Sequence, residues 1–211
     1  MPKKKLAELL IILEQPIGII ASILILIGQY TYFQDVWNNR IEPSILTWYG
    51  WALLMGTLII AQLVSVGWDW SLTSLTSCTF GCIAIATASL IKKNYLLLKR
   101  DWLFLGLGLF CGVLYVISED PWLTTFYAVV SDLIIGIPTI IKAIKEPKNE
   151  KSKAWIISLS TWTLTVSISF NHDVIYAIFP LYVWLYSMYI VYLTYIKKAN
   201  DKEKSTMPIK S

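Results

Sequence analysis

One carboxylate, Asp132, stands alone in a stretch of sequence that is otherwise free of charge, residues 122–141. An ionised carboxylate in the middle of a bilayer costs about 2.5–3.5 kcal/mol on insertion scales, so such a residue usually faces a cavity or a partner. Gly136 and Thr139 continue the same helical face and leave backbone space and a hydroxyl beside it. The pattern predicts a carboxylate that binds a proton or a substrate. The alternative is a structural acid, protonated or hydrogen-bonded to Ser131 or to another helix.

Aromatic residues form a second set of candidate binding residues. One helical face is defined by spacings of 3, 4 and 7 residues and consists of Trp48, Trp51, Met55 and Gln62. A comparable face later in the chain carries Trp162 together with Ser158 and Thr165. These residues could contact a solute. The alternative is that the tryptophans pack against other helices or against lipid.

The sequence lacks the residues that common hydrolytic and metal-dependent sites need. Its one histidine, His172, lies in a predicted loop, and its three cysteines, Cys78, Cys82 and Cys111, lie within apolar runs. Two thiols on one helical face are a poor metal site. We therefore expect a protein that is not an enzyme, with no metal and no cofactor.

Long apolar runs surround these candidate residues. Of the 211 residues, 56% are hydrophobic and 15% are charged, whereas a soluble domain carries about a quarter charged residues. A helix needs about 20 mainly apolar residues to cross a bilayer. The chain offers seven such runs, at 17–34, 44–63, 71–91, 102–117, 122–141, 154–170 and 174–196. These runs predict an all-α integral membrane protein with seven transmembrane helices.

The first fifteen residues combine Lys3, Lys4 and Lys5 with a short apolar run that Glu14 and Pro16 interrupt. We predict that residues 1–15 form an interfacial segment that lies on the membrane. The alternative is an extension of the first transmembrane helix, kinked at Pro16.

Basic residues gather in alternate connections between the runs. The connection after the third run and the one after the fifth hold nine of them: Lys92, Lys93, Lys99, Arg100, Lys142, Lys145, Lys148, Lys151 and Lys153. The intervening connections hold no Lys or Arg. Because basic residues mark the cytoplasmic side, the sequence predicts a cytoplasmic C-terminus and an outside N-terminus in the inner membrane. The basic tail, residues 198–211, is expected to be solvated and to bind no nucleic acid.

Two parts of the chain share a pattern. Gly28-Gln29 near the end of the first run precedes a polar loop with Glu42-Pro43, and Gly136 and Pro138-Thr139 in the fifth run precede a loop with Glu146-Pro147. We expect both helices to end in a turn at these residues. The pattern predicts two parallel three-helix bundles, residues 16–91 and 119–197, joined by a linker helix within residues 92–118. Such duplication is common in transporters.

This 3+1+3 plan and its repeated turn resemble the PQ-loop superfamily, which includes the SWEET sugar facilitators, lysosomal amino-acid exporters and the KDEL receptor. The family motif is Pro-Gln at the inner end of helices one and five. Gln29 keeps the Gln, with Gly28 in place of Pro, and Pro138 keeps the Pro, with Thr139 in place of Gln. Parts of the chain also resemble uncharacterised bacterial seven-helix proteins. The resemblance implies hinges at these residues and at Gly136.

In SWEET-like proteins, aromatic residues on helices two and six clamp the solute. The resemblance therefore implies that Trp51 and Trp162 contact a substrate, with Asp132, Gln62 and Gln29 as further binding residues. The family also uses Asn on helices three and seven, which this chain lacks within its runs. A sugar substrate is therefore not expected.

Together these features predict a small-solute transporter that works by alternating access and is proton-linked through Asp132. Its expected partners are a small-molecule solute and the lipid bilayer, and the sequence leaves open whether the chain forms a homo-oligomer. The alternative is a receptor or membrane scaffold that has the same fold but transports nothing.

Overall fold

The chain folds as a bundle of helices. A computed structural model describes residues 2–65, 71–170 and 174–197, with side chains from residue 13 onward except at 61, 62, 64, 65, 71–73, 121 and 176. The helices are α1 (Pro2–Trp37), α2 (Ile45–Ser65), α3 (Ser71–Lys92), α4 (Lys99–Ile117), α5 (Pro121–Lys145), α6 (Ala154–Ser169) and α7 (Val174–Val191). A 3₁₀-helix, Pro147–Glu150, precedes α6, and a π-helical turn, Tyr192–Ile196, follows α7. The described residues contain no strand, so the all-helical prediction is confirmed.

Local hydrogen bonds explain where α4 and α5 begin. α1 is one helix from Pro2 onward, with Pro16 inside it, so residues 2–15 continue the first helix. α4 begins three residues before the predicted run, and there the Asp101 carboxylate accepts a hydrogen bond from the Leu98 N–H at 3.1 Å. At the start of α5, Asp120 accepts bonds from the N–H groups of Trp122 and Leu123, which are donors that a helix start otherwise leaves unpaired.

Five of the described helical segments are long and apolar enough to cross a membrane. They are Leu13–Trp37, Ser74–Lys92, Lys99–Ile117, Trp122–Lys145 and Ala177–Ile196. The apolar segments in α2 and α6, Ile45–Ile60 and Ala154–Ser169, are shorter, at 10–17 residues. Length and composition therefore support five of the seven predicted spans.

The helices pack in a definite order. α1 lies against α3 and α6, and α2 lies against α3 and α5. α7 closes the circle because it packs against both α5 and α6. Six helices thus form a ring in the order α1, α3, α2, α5, α7, α6. α4 lies outside the ring, against α5 and α2.

Small residues allow α4 to approach α5 closely. A Cβ atom built on Gly108 would lie 3.1 Å from the carbonyl oxygen of Ser131 and would collide with Ile135. The Ser131 hydroxyl donates to the Gly108 carbonyl at 2.6 Å. Gly108 therefore serves close helix packing, and Ser131 is bonded to α4 and does not partner Asp132.

Three connections meet at one end of the bundle. The α1–α2 connection pairs with the α3–α4 connection, where Leu96 donates to Pro43 at 2.9 Å and accepts from Ile45 at 3.2 Å. The Ser152 hydroxyl, just before α6, donates to Asp35 near the end of α1 at 2.7 Å. We call the end of the bundle that holds the α1–α2, α3–α4 and α5–α6 connections the connection end.

The predicted turns at Gly28-Gln29 and Pro138-Thr139 are wrong. Both pairs lie inside helices that continue to Trp37 and Lys145. A proline inside a helix lacks one N–H and crowds the preceding turn, but neighbouring side chains can bond the carbonyl groups there. Thr47 donates to the Ile135 carbonyl at 3.0 Å, and Tyr186 donates to the Gly136 carbonyl at 3.0 Å. α5 continues through Pro138, and these two donors bond carbonyl groups of the turn that precedes it.

Candidate functional site

A cavity lies inside the helix ring, with about 700 Å³ of space when the part open to solvent is included. All six ring helices contribute to its lining, and α4 does not. The wall is mainly apolar, and a third of its lining residues are aromatic: Tyr32, Trp48, Trp51, Trp155, Trp162 and Tyr186.

The cavity brings together most of the binding residues that the sequence suggested. Asp132, Trp51, Trp162, Gln29 and Gly28 all line it, from four different helices. The Gln62 side chain lies outside the described part of the chain. The remaining motif residues, Gly136, Pro138 and Thr139, lie farther along α5 and are not part of the lining.

Asp132 is buried, at 4% exposed, and is only partly hydrogen-bonded. Its Oδ2 atom accepts a hydrogen bond from the Tyr182 hydroxyl of α7 at 2.8 Å. Its Oδ1 atom has no hydrogen-bond partner among the described residues. A buried acceptor without a partner costs about 1–3 kcal/mol, and more when it is charged. The carboxylate therefore has one buried oxygen without a hydrogen-bond partner, on a residue that lines the cavity.

Gln29 presents a similar open group on the opposite half of the ring. Its Nε2 atom donates to the Cys78 thiol at 3.4 Å and lies 4.0 Å from the Cys82 sulfur. Its Oε1 atom is buried and has no partner in the described ranges. The side chain packs over Gly81 of α3, where a Cβ atom would lie 2.5 Å from Gln29. The lining of the cavity thus includes two unpaired acceptors, one from α1 and one from α5, and one unpaired donor, the indole N–H of Trp48.

Aromatic rings close the cavity toward the connection end. Tyr32 contacts Trp48 with ring centroids 4.5 Å apart and meets Trp155 edge-on at 6.2 Å. Tyr186 lies 6.0 Å from Trp155 and 5.8 Å from Trp51. These five rings come from α1, α2, α6 and α7, and we call them the aromatic floor.

Directly behind the aromatic floor lies a buried ion pair. The Glu150 side chain is completely buried, and its Oε1 atom accepts bonds from the Tyr32 hydroxyl at 2.7 Å and from the Trp155 indole N–H at 3.0 Å. Its Oε2 atom pairs with the buried Lys142 ammonium, which also donates to the Glu42 carbonyl. Glu150 therefore joins α1, α5 and α6 at the connection end.

Sequence reasoning missed this ion pair because it counted Lys142 among the basic residues of a connection and singled out no role for Glu150. A local signal was available for Lys142. It continues the spacing of Asp132, Ile135 and Thr139, and all four residues are buried. Glu150 carries no such signal, because its burial depends on Tyr32, which is 118 residues away in the sequence.

The three cysteines, Cys78, Cys82 and Cys111, are free thiols. Within the described ranges no group of three or more His, Cys, Asp or Glu residues could hold a metal ion. Cys78 and Cys82 both line the cavity and contact Gln29. Cys78 and Cys82 are therefore small side chains of the cavity wall.

Comparisons of the chain with protein-family models, curated proteins and solved structures gave no match. The resemblance to the PQ-loop superfamily accordingly stays a prediction. Conclusions about function rest on the geometry of the cavity.

Proposed function

We propose that this chain is an integral membrane protein that carries a small solute across the bilayer by alternating access. The supporting observation is a cavity inside a six-helix ring, with an unpaired acceptor from each half of the chain, Gln29 and Asp132. Buried polar atoms in native proteins are nearly always hydrogen-bonded. Two open acceptors on one cavity are therefore expected where a ligand supplies the missing donors.

The helix order supports a 3+1+3 plan of two related bundles. One side of the ring reads α1, α3, α2, and the other reads α5, α7, α6. Exchange of α1 with α5, α3 with α7 and α2 with α6 leaves this ring unchanged, as a half-turn about an axis along the helices would. The extra helix α4 lets the second bundle run in the same direction as the first. Parallel repeats of this kind place a substrate site at their interface.

The contacts across the aromatic floor suggest how access would alternate. Tyr32 and Trp48 belong to the first bundle, and Trp155 and Tyr186 belong to the second. In the structure these rings touch, and Glu150 bonds to Tyr32 behind them. Rocking the two bundles apart at the connection end would separate these rings and open the cavity to that side.

Asp132 is the group through which transport would be linked to protons. A carboxylate can hold either a proton or a cationic solute, so the two would compete for the same oxygen. The titratable groups around it are the hydroxyl of Tyr182, which bonds to it, and Tyr186, Cys78 and Cys82, which line the same cavity. The described lining contains no basic group that would fix the carboxylate in its charged state.

For orientation we propose a cytoplasmic connection end and C-terminus, with the N-terminus outside, in the inner membrane. The basic residues of the α3–α4 and α5–α6 connections support this orientation. Reporter domains fused at each terminus test it: a cytoplasmic reporter should be active at the C-terminus alone. Activity of that reporter at the N-terminus would contradict the assignment.

The test of transport is solute flux in liposomes that contain the purified full chain. A panel of amines, amino acids, sugars and nucleosides should include at least one solute whose flux exceeds that of protein-free liposomes. Asp132→Asn should abolish this flux, and Glu146→Gln, the same exchange at an exposed residue, should preserve it. Solute binding without flux would instead support a receptor, and neither binding nor flux would support a scaffold.

A further inference from the structure

We infer that the cavity takes organic monocations, each consisting of a primary ammonium group on an aromatic or branched apolar body without a carboxylate. The inference names the substrate class for the proposed transport function and rests on it. It follows from three properties of the cavity wall: its charge, its unpaired acceptors and its aromatic rings.

The charge of the wall excludes anions and disfavours zwitterions. Asp132 is the one carboxylate among the described lining residues, and no Lys, Arg or His is among them. The nearby Lys142 is not available, because its ammonium is paired with Glu150 and bonded to the Glu42 carbonyl. A carboxylate or phosphate in the cavity would therefore lose its hydration and gain no cationic partner. Repulsion from Asp132 would add to that cost.

The two unpaired acceptors favour a ligand whose donor is charged, and the third unpaired polar atom of the lining is a donor, the indole N–H of Trp48. Oδ1 of Asp132 and Oε1 of Gln29 are acceptors, and neither has a partner in the part of the chain that the structure describes. Hydrogen bonds between an ammonium and a carboxylate are about twice as strong as those between neutral groups. A primary ammonium has three N–H donors, whereas a quaternary ammonium has none. The Tyr182 hydroxyl holds Oδ2, which leaves Oδ1 for the ligand.

The aromatic rings and the apolar wall determine what kind of body the ligand can carry beside its ammonium group. The faces of Trp and Tyr rings attract cations within about 6 Å, and six such residues line the cavity. Most of the remaining wall is apolar. The two serines in the lining, Ser158 and Ser187, are bonded to each other at 3.0 Å. A sugar would thus bury more hydroxyl groups than the wall can pair, whereas an apolar body would bury none.

A set of three probes with the same phenyl body tests the substrate class directly. The probes are 2-phenylethylammonium, the neutral 2-phenylethanol and the zwitterion phenylalanine. Binding to the purified full chain in detergent is measured by calorimetry and by thermal unfolding, in which a ligand of the native state raises the unfolding temperature with concentration. We expect the ammonium probe to bind about 10- to 100-fold more tightly than either of the others, as a hydrogen bond to a charged group implies.

Two variants assign the preference to Asp132. Asp132→Asn should weaken binding of the ammonium probe about 10- to 100-fold and leave 2-phenylethanol nearly unaffected. Glu146→Gln should bind like the wild type, because Glu146 is exposed and away from the cavity. Should Asp132→Asn fail to fold, the preference among the three probes in the wild-type protein still decides the question.

The results separate this inference from the proposed transport. Equal binding of the three probes, or full binding by a folded Asp132→Asn variant, would overturn the substrate class. Binding of the ammonium probe without its flux would uphold the class and overturn transport. Flux of a sugar or an anion without binding of the ammonium probe would uphold transport and overturn the class.

Discussion

Two buried carboxylates, Glu150 and Asp132, lie on opposite sides of the aromatic floor and differ in how many of their oxygens have a partner. Both oxygens of Glu150 are paired, with Tyr32, Trp155 and Lys142. Asp132 has a single partner, Tyr182, and one open oxygen. The acid that joins the helices, Glu150, therefore has partners for both of its oxygens. The acid that lines the cavity, Asp132, has a partner for only one.

This difference determines how much each carboxylate changes the free energy of unfolding. A buried ion pair adds little net stability compared with apolar residues, but removal of one partner leaves an uncompensated charge. Loss of any partner of Glu150 should thus lower the stability of the fold. Asp132 already carries an unsatisfied oxygen at a cavity, where solvent or ligand can supply what the protein does not. Substitutions around the two acids should show this asymmetry.

The largest effect is expected for Lys142→Met, which leaves the Glu150 charge buried. We expect unfolding in detergent to become easier by about 3–5 kcal/mol. The double variant Lys142→Met/Glu150→Gln should recover most of the loss, because an amide oxygen can still accept from Tyr32 and Trp155. Chemical unfolding of the three proteins measures both values. A single variant as stable as the wild type would show that the pair is not formed.

A matched pair of tyrosine variants compares the two acids directly. Tyr32→Phe removes a buried donor to Glu150 and should cost about 1.5–3 kcal/mol, the usual value for a bond to a charged group. Tyr182→Phe removes the donor to Asp132 and should cost less than about 1 kcal/mol, because a water molecule in the cavity can replace it. Thermal unfolding of both variants gives the comparison. Equal losses would mean that the two carboxylates are equally enclosed.

The smallest effect on stability is expected for Asp132→Asn. The amide oxygen still accepts from Tyr182, and the buried charge is removed, so the free energy of unfolding should stay within about 1 kcal/mol of the wild type. Unfolding of the purified variant in the absence of ligand tests this value. A loss of several kcal/mol would make Asp132 a structural acid, as Glu150 is.

The same contrast shows how far the sequence predicts the site. Asp132 stands out because it is charged within an apolar run, and Trp51 and Trp162 stand out by size and helical spacing. The structure places all three on one cavity. Of the buried ion pair, Lys142 continues the helical spacing of Asp132 and Thr139, whereas Glu150 carries no such signal. The burial of Glu150 depends on α1 and α6, which no local pattern contains.

Helix ends show a second limit. Gly28 and Pro138 suggested turns, because glycine and proline weaken helices in isolation. The structure continues both helices, and in α5 Thr47 and Tyr186 donate to the carbonyl groups of Ile135 and Gly136, just before Pro138. These donors come from other helices, and their positions follow from the helix order. Neither the residue patterns nor the resemblance to PQ-loop proteins was used to predict that order.

The most direct test of the account is exchange transport by Asp132. Liposomes that contain the full chain are preloaded with unlabelled 2-phenylethylammonium, and entry of the labelled compound is followed. The account predicts faster exchange than in protein-free liposomes for the wild type and for Glu146→Gln, and no acceleration for Asp132→Asn. Exchange by Asp132→Asn at the wild-type rate, or wild-type exchange no faster than passive leakage, would contradict it.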